Sequence, residues 1–286
     1  MGVVQIITDS TCTLPPDVSE RVRQHVRFLR TSVQFKDESW VEGTFTLDQF
    51  YQRVTQSSVL PTSSQPSPTE YWQAFQDAAP HGPILGIFLS AVLSSTYDAA
   101  VTIGKQVTQA DVVCFDSHYF SSPLGYMVAE AAEMALNGAS RCEIITRLQW
   151  RRERSTIFIA IDTLDFLRRS GRVNFFQAGL ATMLNLKPIL TVKGGHLTVV
   201  ERVRSRRRSL TRLLTLLEEQ VSTISAPLWI SAMHGNAEEE ATWLLSEMAK
   251  RFPVERQFIS DVPASVALHG GPGVVGVMAT TGEAVA

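Results

Sequence analysis

An α/β fold in two lobes is what this sequence predicts, the first lobe built on a mainly parallel sheet and the second on a mixed one. Three observations carry that prediction. Short β-branched apolar runs alternate with amphipathic helical patterns, as parallel strands joined by crossover helices do. A chain of 286 residues, 44% hydrophobic and 19% charged, exceeds the size at which a single core is usual. The pattern also changes character near residue 155, which divides the chain into an N-terminal lobe over 1–154 and a C-terminal lobe over 155–286.

The first lobe opens with a strand over 3–7, followed by Thr8-Asp9-Ser10-Thr11, whose side chains suit a turn held by local backbone bonds. A strand over 84–89 leads to Ser94-Ser95-Thr96, which offers N-caps for a helix running to about residue 107. A strand over 112–115 ends in Asp116-Ser117, ahead of a helix over 123–136 that Gly138 stops. Ser140 caps the next helix, which ends in the basic run Arg151-Arg152-Glu153-Arg154.

In the second lobe a strand over 156–161 precedes a short helix over 164–169 and a longer one over 175–184. Strands over 188–192 and 197–203 flank Lys193-Gly194-Gly195-His196, a hairpin by its glycines. A helix over 209–221, a strand over 228–233, a helix over 238–251 and late strands near Phe258 and Val274 complete the pattern.

Several classes of function are excluded at this stage. The net charge of −2 leaves no global basic field to hold a nucleic acid. Cys12, Cys114 and Cys142 form no C-x-x-C pair and read as buried free thiols in a reducing cytoplasm. The N-terminal run reads as a strand rather than a leader, and no apolar stretch approaches the roughly 18 residues of a membrane span. No nucleophile elbow, P-loop, H-E-x-x-H or Cys/His metal spacing is present. Gly271, Gly273 and Gly276 match G-x-G-x-x-G, but no βαβ unit follows them. Asp116-Ser117-His118 holds triad residue types, yet neighbours on a strand point to opposite faces and form no relay.

What remains is a set of polar loops, each open to two readings. Three apolar strands of the first lobe run into turns rich in hydroxyls and carboxylates, which in an open α/β sheet converge on a ligand crevice or merely cap helices. The segment Leu60-Pro61-Thr62-Ser63-Ser64-Gln65-Pro66-Ser67-Pro68 holds four hydroxyls among three prolines. Its donors are fixed in direction, as a carboxylate requires, although a solvated Ser/Pro loop has the same composition. Ser94-Ser95-Thr96 places hydroxyls and amides at a helix N-terminus, which favours anions or is an ordinary cap.

Basic groups are open in the same way. Arg172 follows a helix stop at Gly171, so it turns away from Arg168 and Arg169, either to a carboxylate or acyl phosphate or to water. His269-Gly270-Gly271-Pro272-Gly273 reads as a tight turn that admits a ligand to the backbone, with His269 a tunable donor or a structural histidine. Arg202, Arg204, Arg206, Arg207 and Arg208 form a basic stretch, solvated or facing an acidic partner.

At these residues the chain resembles the DegV family, which includes the fatty-acid-binding subunits of bacterial fatty acid kinase. The resemblance runs through Ile7-Thr8-Asp9-Ser10-Thr11 with Leu14-Pro15, Ser63-Ser64-Gln65-Pro66-Ser67, Ser94-Ser95-Thr96-Tyr97, Asp116-Ser117, Gly171-Arg172-Val173 and His269-Gly270-Gly271-Pro272-Gly273. It implies two α/β lobes with a long acyl chain buried between and within them, no catalysis, and no cofactor beyond the bound fatty acid. It further implies a carboxylate held by hydroxyls at Ser63 and Ser94, with Arg172 and His269 as nearby basic groups. The acid would be presented in the cytoplasm to a fatty acid kinase subunit for conversion to acyl phosphate, with the 202–208 region as docking surface. Ser63 stands where the family has Thr, Ser95 where it has Gly, and Gly270 where it has Thr. Two other readings compete: a serine-dependent acyl-ester hydrolase with Ser94 as nucleophile and His269 as base, and a lipid-sensing regulatory protein acting through the arginine stretch.

Overall fold

The structure is a computed structural model that describes residues 2–57, 59–172, 186–224 and 226–282. In chain order its elements are β1 (Gln5–Asp9), α1 (Glu20–Gln24), β2 (Val26–Leu29), β3 (Ser32–Gln34), β4 (Ser39–Val41), α2 (Leu47–Thr55), β5 (Thr62–Ser64) and α3 (Pro68–Ala78). There follow β6 (Ile84–Phe88), α4 (Thr96–Gly104), β7 (Val112–Asp116), α5 (Ser121–Leu136), α6 (Arg141–Glu153), β8 (Thr156–Ala160) and α7 (Leu164–Ser170). The last are β9 (Lys187–Lys193), β10 (His196–Val203), α8 (Arg206–Val221), β11 (Leu228–His234), α9 (Glu238–Arg251), β12 (Val254–Asp261), α10 (Ala264–Gly270) and β13 (Val275–Thr281). The helix expected over 175–184 lies outside the described residues.

The chain forms two compact units, one of Met1–Phe45 with Val59–Glu153 and the other of Thr46–Ser58 with Arg154–Ala286. The first carries a parallel sheet in the order β2-β1-β6-β7. Its central strands are buried because both faces are covered: Ile6, Ile7, Ile84, Leu85, Ile87 and Phe88 have almost no exposed surface. Tyr71, Ala74, Phe75 and Ala78 recur at helical spacing on α3 and pack with Ala100 and Ile103 of α4. Buried over nearly all its length, α5 lies against β1 and β6. Gly125 lets it approach the segment that follows β1, since a Cβ there would fall 1.8 Å from the Thr13 carbonyl oxygen. A small antiparallel sheet, β4-β3-β5, completes this unit.

The second unit holds a mixed sheet in the order β10-β9-β8-β13-β11-β12, in which β11 and β12 are parallel and the other pairs antiparallel. Leu210, Leu213, Leu214 and Leu217 of α8 and Ala241, Leu244, Leu245 and Met248 of α9 share one core with Ile230, Val275 and Val277 of the sheet. The β9–β10 hairpin closes where the glycines place it, with Lys193 opposite His196. The short helix α2 belongs to this unit, and its Tyr51 hydroxyl donates to the Gly271 carbonyl at 3.1 Å.

Several boundaries differ from the sequence reading for identifiable reasons. The first strand runs over Gln5–Asp9, not 3–7, because Thr8 and Asp9 continue the ladder to Phe28 and Leu29 while Val3 is exposed. The helix expected from residue 123 starts at Ser121, and α8 starts at Arg206 with the Ser205 hydroxyl accepting the Arg208 N–H. Residues 264–270, expected to lead into a turn, form the helix α10. The cysteines are free, but Cys142 is exposed on α6 and Cys114 only half-buried, leaving Cys12 as the buried thiol.

Candidate functional site

The parallel sheet reverses its strand order between β1 and β6, the point at which strand-end loops of an α/β sheet open a crevice. Two carboxylates hold the loop that leaves β6. Asp9 is buried at the end of β1; its Oδ1 accepts the Thr11 N–H at 2.9 Å and the Thr11 hydroxyl at 2.5 Å, and its Oδ2 accepts the Leu89 N–H at 2.9 Å. Burial pushes the Asp9 carboxyl above its usual range, while those donors pull it back. Asp116, at the end of β7, accepts the Ala91 N–H at 3.3 Å and the His118 N–H at 2.9 Å. The segment 89–91 is thus tied on both sides before the chain reaches Ser94.

The Asp116-Ser117-His118 geometry departs from the strand reading. His118 has left the strand at φ 62°, so its ring returns to within 3.7 Å of Asp116 Oδ2. Ser117 takes no part in that pair, because its hydroxyl donates to the Tyr119 carbonyl at 3.1 Å. Cys12 is equally unsuited to nucleophilic work: burial, then the charge of Asp9, raises its thiol well above normal.

Ser94 lies in the turn ahead of α4, its N–H donating to the Ser90 carbonyl at 3.2 Å. Its Oγ accepts the Thr96 N–H at 3.3 Å and pairs with the Thr96 hydroxyl at 2.9 Å. Thr96 is fully buried. Ser95 occupies the N-cap position of α4 without a side-chain cap bond. Its hydroxyl instead donates to Gln65 Oε1 at 2.7 Å, thirty residues away.

That bond reaches the Ser/Pro segment, of which Thr62–Ser64 form the strand β5. Val33 of β3 stands opposite both Ser63 and Trp40 in the antiparallel registers, so these three side chains share one face. Val33 is fully buried, and this is therefore the covered face of the sheet. Thr62 and Ser64 point the other way by strand alternation. Across β3 from Ser63, Trp40 packs between Phe35 and Phe45 with ring centroids 5.1 Å apart in each pair. Beyond Gln65, a Ser67–Glu70 capping box starts α3, whose Tyr71 hydroxyl donates to the Thr96 carbonyl at 3.1 Å. The segments bearing Ser63 and Ser94 are joined at two points.

In the second unit, His269 lies in the last turn of α10 and Arg172 is exposed just after α7. Burial, then the nearby Arg172 guanidinium, pulls His269 from 6.5 down to about 4, so the imidazole is neutral near pH 7 and able to donate from one nitrogen. The glycines after it are closely packed: a Cβ on Gly271, whose φ is 76°, would fall 2.7 Å from the Phe166 ring. The Gly273 N–H donates to the Gly235 carbonyl at 2.7 Å, and the Gly235 N–H to the Val274 carbonyl at 2.8 Å. Within the arginine stretch Arg206 pairs with Glu240, while Arg204, Arg207 and Arg208 are exposed.

Among the described residues no cluster of three or more His, Cys, Asp or Glu is placed to hold a metal, and no helix is long and apolar enough to cross a membrane. Residues 3–282 match the family model described as "Uncharacterised protein, DegV family". The chain is 30% identical to Protein DegV of Bacillus subtilis over 278 residues, 96% of this chain and 98% of that one. Its structure is similar to that of a fatty-acid-binding DegV family protein from Thermus thermophilus, with TM-score 0.89, 28% identity, and 98% and 100% of the two chains covered. It is similar also to the crystal structure of DegV, a fatty acid binding protein from Bacillus subtilis, with TM-score 0.89, 27% identity and the same coverage.

Proposed function

This chain belongs to the DegV family, and on that premise we propose that it binds one long-chain fatty acid, the carboxylate taken by Ser63 and Ser94 with Arg172 and His269 as the basic groups. The observation that carries the proposal is its likeness, over nearly the whole length, to two structures described as fatty-acid-binding. Local chemistry supports it. Ser63 lies on a covered face beside Val33, and Ser94 accepts a backbone N–H from Thr96. If the Thr96 hydroxyl also donates to Ser94 Oγ, the Ser94 proton is left to the ligand and is polarised toward it.

The energetics fit a buried tail. Some fifteen methylenes at ~0.8 kcal/mol each supply roughly 12 kcal/mol gross, less the cost of association. A carboxylate left unpaired in such a site costs several kcal/mol, so donors are required at the head. By the same reading the protein acts in the cytoplasm as a carrier, presenting the acid to a fatty acid kinase subunit for conversion to acyl phosphate. Arg204, Arg207 and Arg208, exposed on and before the first turn of α8, suit an acidic face on that partner.

The hydrolase reading is weaker, since a base held near pH 4 is poorly matched to proton abstraction at neutral pH. Retention of radiolabelled palmitate through gel filtration tests the proposal. The wild-type chain should carry label, and Ser63→Ala with Ser94→Ala should weaken binding at least about tenfold, as expected for loss of two donors to a charged group. Wild-type protein that carries no label defeats the function; full retention in the double variant defeats only the two serines.

A further inference from the structure

The side chain of Gln65 spans the two serine-bearing segments. Its backbone lies two residues beyond Ser63, and its Oε1 accepts the hydroxyl of Ser95, the neighbour of Ser94, at 2.7 Å. Both ends of that span are fixed. Ser63 and Ser64 are held in the ladder opposite Val33 and Ser32 of β3, and Pro66 and Pro68 stiffen the chain that follows. On the other side, the buried bond from the Tyr71 hydroxyl to the Thr96 carbonyl holds α3 against the start of α4. As the residue before a proline, Gln65 favours extended backbone, which by alternation puts its side chain on the Ser63 face. Ser95 stands at the N-cap of α4 but makes no cap bond with the helix and donates its hydroxyl to Gln65 instead. A glutamine amide carries one acceptor oxygen and one NH2 with two donors. With the oxygen committed to Ser95, the half-buried amide turns both donors elsewhere, and among the described residues Nε2 has no hydrogen-bond partner.

We infer that Gln65 is a third donor to the ligand's carboxylate, and that Ser95 sets its amide in the donating orientation. The inference rests on the fatty-acid reading of the site and deepens it: Gln65 touches the headgroup, and Ser95 acts through Gln65 as a positioning residue. An ionised carboxylate offers about four acceptor sites, of which the Ser63 and Ser94 hydroxyls fill two. The Gln65 NH2 supplies the next. An amide turned the other way sets its oxygen against the carboxylate and repels it, and the Ser95 proton, by holding that oxygen, disfavours the reversed state. Donors gain most from a full charge, so the residue makes the site selective for an ionised long-chain acid over a neutral long-chain lipid.

The test is a competition assay on the full-length chain, in which palmitate or hexadecan-1-ol displaces cis-parinaric acid, a fluorescent long-chain fatty acid. Gln65→Met is neutral and of similar length but has no N–H donor. It should bind palmitate at least about tenfold more weakly than wild type, as expected for loss of a hydrogen bond to a charged group, while its affinity for hexadecan-1-ol stays within about twofold of wild type. Ser95→Ala should weaken palmitate by about two- to tenfold, and should add nothing in a Gln65→Met background, because Ser95 acts only through the amide. Unchanged palmitate affinity in Gln65→Met, or an equal loss of both lipids, overturns the role of Gln65 and leaves the fatty-acid reading standing. A Ser95→Ala loss that adds in full to that of Gln65→Met overturns the orienting role of Ser95. A wild-type chain that binds neither palmitate nor the probe overturns the fatty-acid reading and the inference with it.

Discussion

His269 is the residue whose surroundings have the clearest thermodynamic consequence. The unfolded chain protonates this imidazole near pH 6.5 and the folded one only near about 4. Between those values the unfolded state binds more protons, so the His269 contribution is fully favourable above pH 6.5 and is lost as pH falls toward 4. The loss amounts to at most about 3 kcal/mol at the acid end. Thermal melts of lipid-free His269→Gln across this range should show a smaller acid destabilisation than the wild type. Parallel curves for the two proteins would mean that the imidazole is not held neutral. The sequence offered His269 as a tunable donor or as a structural histidine, but not the direction of its shift. Its neutrality arises from packing within the second unit and from Arg172, nearly a hundred positions away in the chain.

At the scale of elements, one carboxylate on α5 bonds two arginines of α6. Glu130, on the mostly apolar α5, accepts from Arg147 at 2.7 Å and from Arg151 at 2.8 Å, and Arg151 has no exposed surface. Arg147 also lies 4.0 Å above the Trp150 ring. Removing the carboxylate takes this counter-charge from a buried guanidinium, a change that costs about 3–5 kcal/mol. Urea denaturation of Glu130→Ala should show that loss, and a change below about 1 kcal/mol would assign the pair to the near-neutral class of surface bridges. The sequence disclosed both helices through their periodicity and the Ser140 cap, but not this link. A buried ion pair between helices leaves no mark in the spacing of either. The three-residue strands β3, β4 and β5 were missed for a related reason, since a strand that short is fixed by its partners rather than by its own pattern.

For the molecule as a whole, the fold was largely legible because parallel strands buried on both faces write themselves as apolar runs, as in β6 and the start of β1. The candidate site was legible only as segments. The sequence named the Ser63 and Ser94 segments as separate polar loops; the strand register that turns Ser63 to the covered face and the Ser95–Gln65 bond that joins the loops are properties of pairing at long range. The same limit applies to Asp9 and Asp116, whose carboxylates grip the backbone of a loop from a different strand. Fatty acid binding is the claim from which the roles of the serines and the kinase partner follow, and denaturing mass spectrometry of the protein purified without added lipid tests it most directly. The account predicts a stoichiometric long-chain fatty acid released from the chain. A lipid-free chain that also fails to take up palmitate when it is supplied would contradict it.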